Sequence, residues 1–392
     1  MNADLYRSVD YFLVEELYSE ENKIAAEAVR DWVNRRIIPN IESNYEKAVF
    51  PLEYVKEMGE LGIFGPFIPP EYGGAGMDYI SYGLMMQELE RGDSGVRSMA
   101  SVQSSLVMYP IYSYGSEEQK KKYLPALAKG DIIACFGLTE PNHGSDPGSM
   151  LSKITRKGKQ YILNGAKMWI TNASIADLAV VWAKDEKGMI RGILLEKGRK
   201  GFSSKETKGK WSLRASITGE LIFDDVLISE DDFLPDAVGL KAPLTCLNSA
   251  RYGIAWGVVG AAMDCYNAAL HYAMERKQFG KPIAAFQLQQ KKLSEAITEI
   301  TKAQLMLWRL GKLRNENKAT AAQISMTKRN NVAMALNICR EMRQILGAMG
   351  ITNDFPMMRH CMNLESVITY EGTHDIHHLI TGADITGIQA FD

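Results

Sequence analysis

Asn363-Leu-Glu-Ser-Val-Ile-Thr-Tyr-Glu-Gly-Thr-His-Asp-Ile-His-His378 runs on to Thr386-Gly-Ile-Gln-Ala-Phe391 at the end of the chain. At its centre stands Tyr370-Glu371-Gly372-Thr373. Leu364, Val367 and Ile368 precede it at helical spacing, so a helix with a buried face stops just short of a carboxylate. The glycine that follows is free to take a positive φ and to present the side chain before it. A Glu near a helix end is ordinarily a solvated surface residue. One at the end of a buried helix, with a glycine after it, suits a base that meets a substrate.

Upstream of this stretch, helix-favouring segments cover residues 247–276, 284–315 and 320–349, rich in Ala, Met, Leu, Gln and Lys. Their length implies a bundle. Further upstream the pattern changes. Short runs of β-branched and aromatic residues appear at 161–163, 168–171, 178–182, 190–195 and 221–223. Asn164-Gly165 and Asp185-Glu-Lys-Gly188 read as turns between them. The first third is helical again: Ile24, Ala28, Val29, Trp32, Val33 and Ile37 recur at helical spacing and Pro39 closes the run. Further helical patterns cover 79–90, 97–114 and 117–127, with a loop at 71–77. The expected fold class is α+β multidomain: an N-terminal helical domain (1–132), a central antiparallel β domain (133–240) and a C-terminal helical bundle (241–392).

The 392 residues are 46% hydrophobic and 23% charged, a globular balance with ample material for a core. A formal net charge of −2 gives no general preference for nucleic acid or an anionic membrane. Lys120-Lys121-Lys122 follows Ser116-Glu-Glu-Gln119, a capping-box pattern, and reads as the solvated face of a helix. Cys135, Cys246, Cys265, Cys339 and Cys361 are scattered, with no C-x-x-C pair, as in a reducing compartment. No signal peptide and no apolar run long enough to span a bilayer is read from the sequence, so a cytoplasmic protein is expected, or a mitochondrial matrix one in a eukaryote.

Neither G-x-G-x-x-G at a strand-to-helix junction nor G-x-x-x-x-G-K-[ST] occurs, which excludes Rossmann and Walker-type nucleotide sites. Cys135-Phe-Gly-Leu-Thr-Glu-Pro-Asn-His-Gly-Ser-Asp-Pro147 joins the first helical region to the β region. Its Gly, Pro, Asn and Ser residues suit either a surface turn or a backbone cradle for an anion. His374-Asp375-Ile-His377-His378 is the one cluster with metal-ligand character, and its spacing is not distinctive; no metal is expected.

From about residue 15 to the end, these motifs resemble the acyl-CoA dehydrogenases, most closely the glutaryl-CoA dehydrogenases. The resemblance implies Glu371 as catalytic base and FAD as cofactor. It implies that Phe136, Leu138 and Thr139 lie against the flavin, that Gly144 and Ser145 continue the wrap with Ser145 reaching toward bound ligand, and that Trp169, Ile170 and Thr171 set a ring and a hydroxyl beside the isoalloxazine. Arg276, Phe279 and Gln287 match residues that meet the pyrophosphate and adenosine half, commonly across a subunit boundary. Gln344, Leu346 and Gly347 match the adenine side of a neighbouring subunit, and Thr373 and Asp375 match further FAD contacts.

Arg97-Ser98 falls where glutaryl-CoA dehydrogenases hold the distal carboxylate of their substrate, a task that suits a guanidinium fork. Glu90, Ser101 and Tyr370 belong to the same implied pocket. Leu244, Leu247, Asn248 and Arg251 match the acyl and CoA channel, which Gly372 and Phe391 complete. Gly92 and Val96 stand where close relatives carry larger residues, and His143 where they carry a smaller one.

The implied reaction is oxidative decarboxylation of glutaryl-CoA to crotonyl-CoA and carbon dioxide, with electrons passed to an electron-transfer flavoprotein by a homotetramer. The competing readings are a short-chain acyl-CoA dehydrogenase or acyl-CoA oxidase, which forms a 2-enoyl-CoA without decarboxylation, and a flavin-fold protein that binds nucleic acid or a partner without turnover. No nucleic-acid or membrane partner is expected.

Overall fold

A computed structural model describes residues 9–390; Phe391 lies outside them. Ahead of the sheet run α1 (Glu20–Trp32), α2 (Ile41–Lys47), α3 (Glu53–Glu60), α4 (Tyr79–Gly92), α5 (Ser94–Ser101), α6 (Tyr109–Tyr114) and α7 (Glu117–Ala128). A π-helical stretch, Val102–Met108, joins α5 to α6 in one run. The strands are β1 (Ala134–Gly137), β2 (Lys153–Lys157), β3 (Gln160–Thr171), β4 (Leu178–Lys184), β5 (Ile190–Glu196), β6 (Phe202–Glu206), β7 (Thr218–Ile228) and β8 (Phe233–Val238). After them come α8 (Lys241–Glu275), a short hairpin of β9 (Lys277–Gln278) and β10 (Lys281–Pro282), then α9 (Gln287–Asn315), α10 (Ala321–Ile345), α11 (Met357–Val367) and α12 (His374–Thr386).

Local chemistry sets many of these starts. Ser19, Ser116 and Thr320 each close a reciprocal capping box, with Asn22, Gln119 and Gln323 respectively. The apolar face of α1 differs from the expected one. Ile24 is 65% exposed and Ala28 is exposed too, while Val29 and Trp32 point inward as expected and are joined by Ala25 and Ala26. Asn22 sets the rotation, because its amide donates to Asp78 at 2.9 Å and to Ser81 at 2.8 Å.

The sheet order is β6-β7-β3-β2-β4-β5-β8, with β1 paired to β4. It is antiparallel except where β1 and the end of β2 run parallel to β4. Asn164-Gly165 is not a turn. It lies inside β3, where the register against β7 shifts between Leu163 and Gly165. Gly165 sits at φ 143°, and a Cβ there would collide with Ser152. A second shift, between Lys167 and Ile170, holds Trp169 at φ 63°.

Strand β4 is buried on both faces. Leu178, Val180 and Trp182 face the helices, and Ala179, Val181 and Ala183 face the second core beyond the sheet. This alternation follows from the two-residue period of a strand. The helix-side core is continuous through both ends of the chain: Tyr82 and Leu89 of α4 share it with Tyr252 and Trp256 of α8. Helices α4 and α8 come close where side chains are missing. A Cβ on Gly83 would strike the Trp256 ring, and one on Gly257 would strike Glu90 Oε2. The N-terminal and C-terminal helices thus form one packed body, with the sheet docked on it. No helix among the described residues is long and apolar enough to cross a membrane.

Candidate active site

Helix α11 ends at Val367, and Tyr370 N–H still reaches back to Ser366 O at 2.9 Å. The chain then turns with both Glu371 (φ 52°) and Gly372 (φ 98°) in the left-handed region. The sequence placed that geometry on the glycine alone. For a residue with a Cβ it costs about 1–2 kcal/mol, so surrounding contacts must hold it. They do so at three consecutive carbonyls. Lys328 Nζ donates to Tyr370 O at 2.9 Å and to Gly372 O at 3.0 Å. Arg251 Nε donates to Glu371 O at 2.7 Å. Thr373 then caps α12 by accepting from Ile376 N–H at 3.3 Å.

Glu371 Oε2 is buried without a hydrogen-bond partner among the described residues. Burial pushes this carboxyl above the usual carboxylate range, while Arg97, Lys328 and Arg251 pull it back. Burial also pushes the Lys328 amine well below its ordinary value, against the pull of the Glu371 charge. The Glu371 N–H has no acceptor among the described residues.

Arg97 is 1% exposed, on a helix that starts at a sharp break after α4. Asp93 makes that break. Its carboxylate caps α5 at Gly95 N–H (2.6 Å) and accepts from Asn363 Nδ2 (2.8 Å) and Arg359 Nη1 (3.2 Å). Gly92 leaves no space for a larger residue, since a Cβ would lie 2.9 Å from Ile37 Cγ2.

Arg97 Nε donates to Glu90 Oε2 at 2.6 Å, and its Nη2 donates to the Tyr370 hydroxyl. Burial works against the guanidinium's charge, and Glu90 and Tyr370 hold it well above its ordinary value. The remaining three N–H groups of Arg97 have no acceptor among the described residues. Glu90 Oε1 and Ser101 Oγ beside it are buried and unpartnered, and Ser98 is buried. A guanidinium with donors to spare therefore bonds the residue next to the buried carboxylate.

Leu244, Leu247, Asn248 and Arg251 form one stripe of α8, each a turn apart or less. The first three are half-buried. Asn248 Oδ1 accepts from Arg251 Nη1 at 3.0 Å, so the stripe leads to the Glu371 turn.

The segment after β1 is tied to β3. Met168 N–H donates to Thr139 O at 2.9 Å. Lys167, fully buried, donates to Leu138 O at 3.1 Å and Glu140 Oε1 at 2.8 Å. Glu140 also accepts from Leu151 N–H (2.6 Å) and Ser152 N–H (2.9 Å). Burial alone would raise the Glu140 carboxyl, yet Lys167 and these donors bring it to about 2. Phe136 and Leu138 are buried, Thr139 and Thr171 half-buried, Gly144 and Ser145 exposed. Ile170 is buried, whereas Trp169 is 58% exposed. A tryptophan with more than half its surface uncovered, held out on a bulge beside Thr171, fits a planar ring system better than a place in the core.

The remaining cofactor candidates lie elsewhere. Arg276, Gln287, Gln344 and Gly347 are exposed, Phe279 is 93% exposed, and Leu346 is buried. Lys292 of α9 bonds Gln344 of α10, and Tyr272 packs on Phe355 at 5.5 Å, so these residues share one end of the bundle. Lys328 and Gln344 are sixteen residues apart on α10, about 24 Å at 1.5 Å per residue. Within one chain this group does not converge on Glu371. Asp375 is exposed in the first turn of α12.

No group of three or more His, Cys, Asp or Glu among the described residues is arranged to hold a metal ion. His374 and His378 stack edge-on at 5.1 Å, and His378 Nδ1 meets Arg329 Nη1 at 2.8 Å. His377 is fully buried with neither ring nitrogen partnered, and burial beside Lys328 and Arg251 pushes its pKa down to about 2.

The sequence singled out neither Lys328, Lys167 nor Glu140, and it read His377 only within a metal-like cluster. Lys328 carried one signal: it falls on the apolar stripe of α10 with Ile324, Asn331 and Ala335, where a solvated lysine has no place.

A buried, unpartnered carboxylate beside three cations, on a helix–sheet–helix frame, is the site of an acid–base enzyme. The acyl-CoA dehydrogenase N-terminal, middle and C-terminal domains match residues 19–131, 135–226 and 237–386. A crystal structure of glutaryl-CoA dehydrogenase from Mycobacterium smegmatis is 49% identical, covers 96% of this chain and 97% of its own, and superposes with a TM-score of 0.95. Another from the same organism, in complex with FADH2, is 46% identical over 98% of this chain and 99% of that one, with a TM-score of 0.96. The human mitochondrial short-chain specific acyl-CoA dehydrogenase is 33% identical over 366 residues, 92% of this chain and 89% of its own length. The chain belongs to the acyl-CoA dehydrogenase family.

Proposed function

We propose that the protein is a glutaryl-CoA dehydrogenase that converts glutaryl-CoA to crotonyl-CoA and carbon dioxide. The observation that carries this reading is Arg97, buried, with N–H groups to spare, and bonded to the hydroxyl of Tyr370, the residue beside the base. A plain acyl chain needs no such charge at its far end. The likeness to the two Mycobacterium smegmatis enzymes supports the same reading.

The cofactor is FAD. The residues after β1 and at the Trp169 bulge hold the flavin, and Arg276, Phe279, Gln287, Gln344, Leu346 and Gly347 serve the adenosine half across a subunit boundary. Bound FAD supplies the acceptor for the hydride that leaves the substrate β-carbon. Glu371 takes the α-proton, its pKa raised by burial toward that task. The free Glu371 N–H is placed to donate to the thioester oxygen as negative charge develops there. Leu244, Leu247 and Asn248 line the acyl and CoA channel and exclude water from it. Arg97 holds the distal carboxylate until loss of carbon dioxide leaves a dienolate, and Glu371 returns its proton to the γ-carbon. Electrons pass on to an electron-transfer flavoprotein.

One observation favours a second reading. Glu90 already neutralises Arg97, and a neutral pocket suits a short-chain acyl-CoA dehydrogenase. Turnover of glutaryl-CoA against butyryl-CoA with an artificial electron acceptor, with carbon dioxide trapped, decides between the two. Glutaryl-CoA turned over with stoichiometric carbon dioxide supports the first reading, and turnover of butyryl-CoA alone supports the second.

Two further outcomes are expected. The purified protein is yellow and releases FAD on denaturation; a folded, colourless protein that takes up no FAD contradicts the flavin assignment. In solution it is a homo-oligomer, as expected of a site shared between subunits, because the adenosine-side residues of one chain do not converge on its own Glu371, and the family resemblance makes the expected assembly a tetramer. Light scattering that finds an FAD-loaded, active monomer contradicts this.

A further inference from the structure

The three carbonyls of Tyr370, Glu371 and Gly372 are all held by buried cations, and Lys328 alone holds the two that flank the base. Lys328 is 1% exposed and comes from α10, a helix whose other proposed contribution, Gln344, lies about 24 Å away at its far end. Its third N–H has no acceptor among the described residues. An ammonium taken out of water is costly unless its site holds it for a purpose or pairs it with an anion. Among the described residues Lys328 forms no ion pair with a carboxylate oxygen, and its two acceptors are main-chain atoms on either side of a strained residue.

We infer that Lys328 is a positioning residue for Glu371: by clamping the carbonyls on both sides of it, Lys328 keeps the left-handed turn that aims the carboxylate at the substrate. This assignment rests on the reading of Glu371 as base. The alternative is a purely structural tie between α10 and the end of α11. The two differ in what the charge does. The charged groups that bear on Glu371 are Arg97 from α5, Arg251 from α8 and Lys328 from α10, and the Tyr82 hydroxyl of α4 and the adjacent Tyr370 hydroxyl also face it, both pushed up by burial and so neutral in the range tested. Glu90 of α4 is spent on Arg97, and His377 of α12 is kept neutral. Removal of the Lys328 charge therefore raises the pKa of Glu371 and moves the acid limb of the rate profile to higher pH.

The test compares Lys328→Met and Lys328→Gln with wild type, as FAD-loaded holoenzymes, by anaerobic flavin bleaching with glutaryl-CoA and butyryl-CoA across pH. Loss of the clamp is expected to slow bleaching at saturating substrate by about a hundredfold in Lys328→Met, the scale of a misplaced catalytic group. KM should move by no more than about threefold. Lys328→Gln keeps donors without charge, so it recovers part of the rate while its acid limb stays displaced to higher pH. Variants that bleach like wild type with an unmoved acid limb overturn the assignment. So does a loss of rate with no shift of the limb, or a failure of both variants to fold, because each makes Lys328 structural. If only Lys328→Met fails to fold, the acid limb of Lys328→Gln decides by the same criterion. A wild-type flavin bleached by neither substrate overturns the underlying function; a bleached wild type with unaltered variants overturns only the role of Lys328.

Discussion

Glu371→Gln binds FAD and acyl-CoA but no longer passes electrons from substrate to flavin. The amide keeps the shape of the side chain and the left-handed turn, which Lys328 and Arg251 hold through main-chain carbonyls that the substitution leaves in place. It cannot take a proton at working pH. Loss of a general base alone accounts for about two to four powers of ten in rate, and stopped-flow bleaching of the flavin measures it. In the wild type the base form exists above the pKa of Glu371. Burial raises that pKa, so activity falls as pH drops through a range higher than for a solvated Glu. Bleaching by the Gln variant at near wild-type rate removes Glu371 from the base role.

Arg97→Met separates the two substrate readings. A glutaryl chain loses one charge-assisted pair and leaves its carboxylate buried, at a cost of roughly 2–5 kcal/mol in kcat/KM, or about two to three powers of ten. A butyryl chain loses nothing comparable. The single substitution also strands Glu90, whose Oε2 sits 2.6 Å from Arg97 Nε. An unpaired buried charge destabilises by about 3–5 kcal/mol. The double variant Arg97→Met, Glu90→Gln removes both charges and isolates selectivity from folding. Selective loss of glutaryl-CoA turnover in the double variant supports distal carboxylate recognition. Equal loss with both substrates makes Arg97 structural and favours the short-chain reading.

Arg97 also shows how sequence and structure divide the evidence. Its charge, and its place in a segment resembling a known recognition stretch, were legible. Its burial was not: charged residues as closely spaced as Glu88, Glu90, Arg91 and Arg97 ordinarily stay in water. The break at Asp93 and the approach of α8 at Gly257 put Glu90 and Arg97 inside. Trp169 is the opposite case. A tryptophan on a strand reads as core, and the bulge between Lys167 and Ile170 turns it outward. Asn164-Gly165 has the composition of a hairpin turn, and pairing with β7 carries the strand straight through it.

The sequence by itself determined the order of helical, β and helical segments, the capped start at Ser116, and Glu371 as the carboxylate at a helix end. Each of these depends on neighbours within a few residues, through helical or strand periodicity and side-chain capping. Only the tertiary structure decided that the first and last helices share one core, that Glu371 itself takes the left-handed turn, and that Lys328, Arg251 and Arg97 surround it. Those residues are 43, 120 and 274 positions from Glu371 along the chain. Their charges act on it because packing removes the water that would otherwise screen them, and no local pattern records that removal.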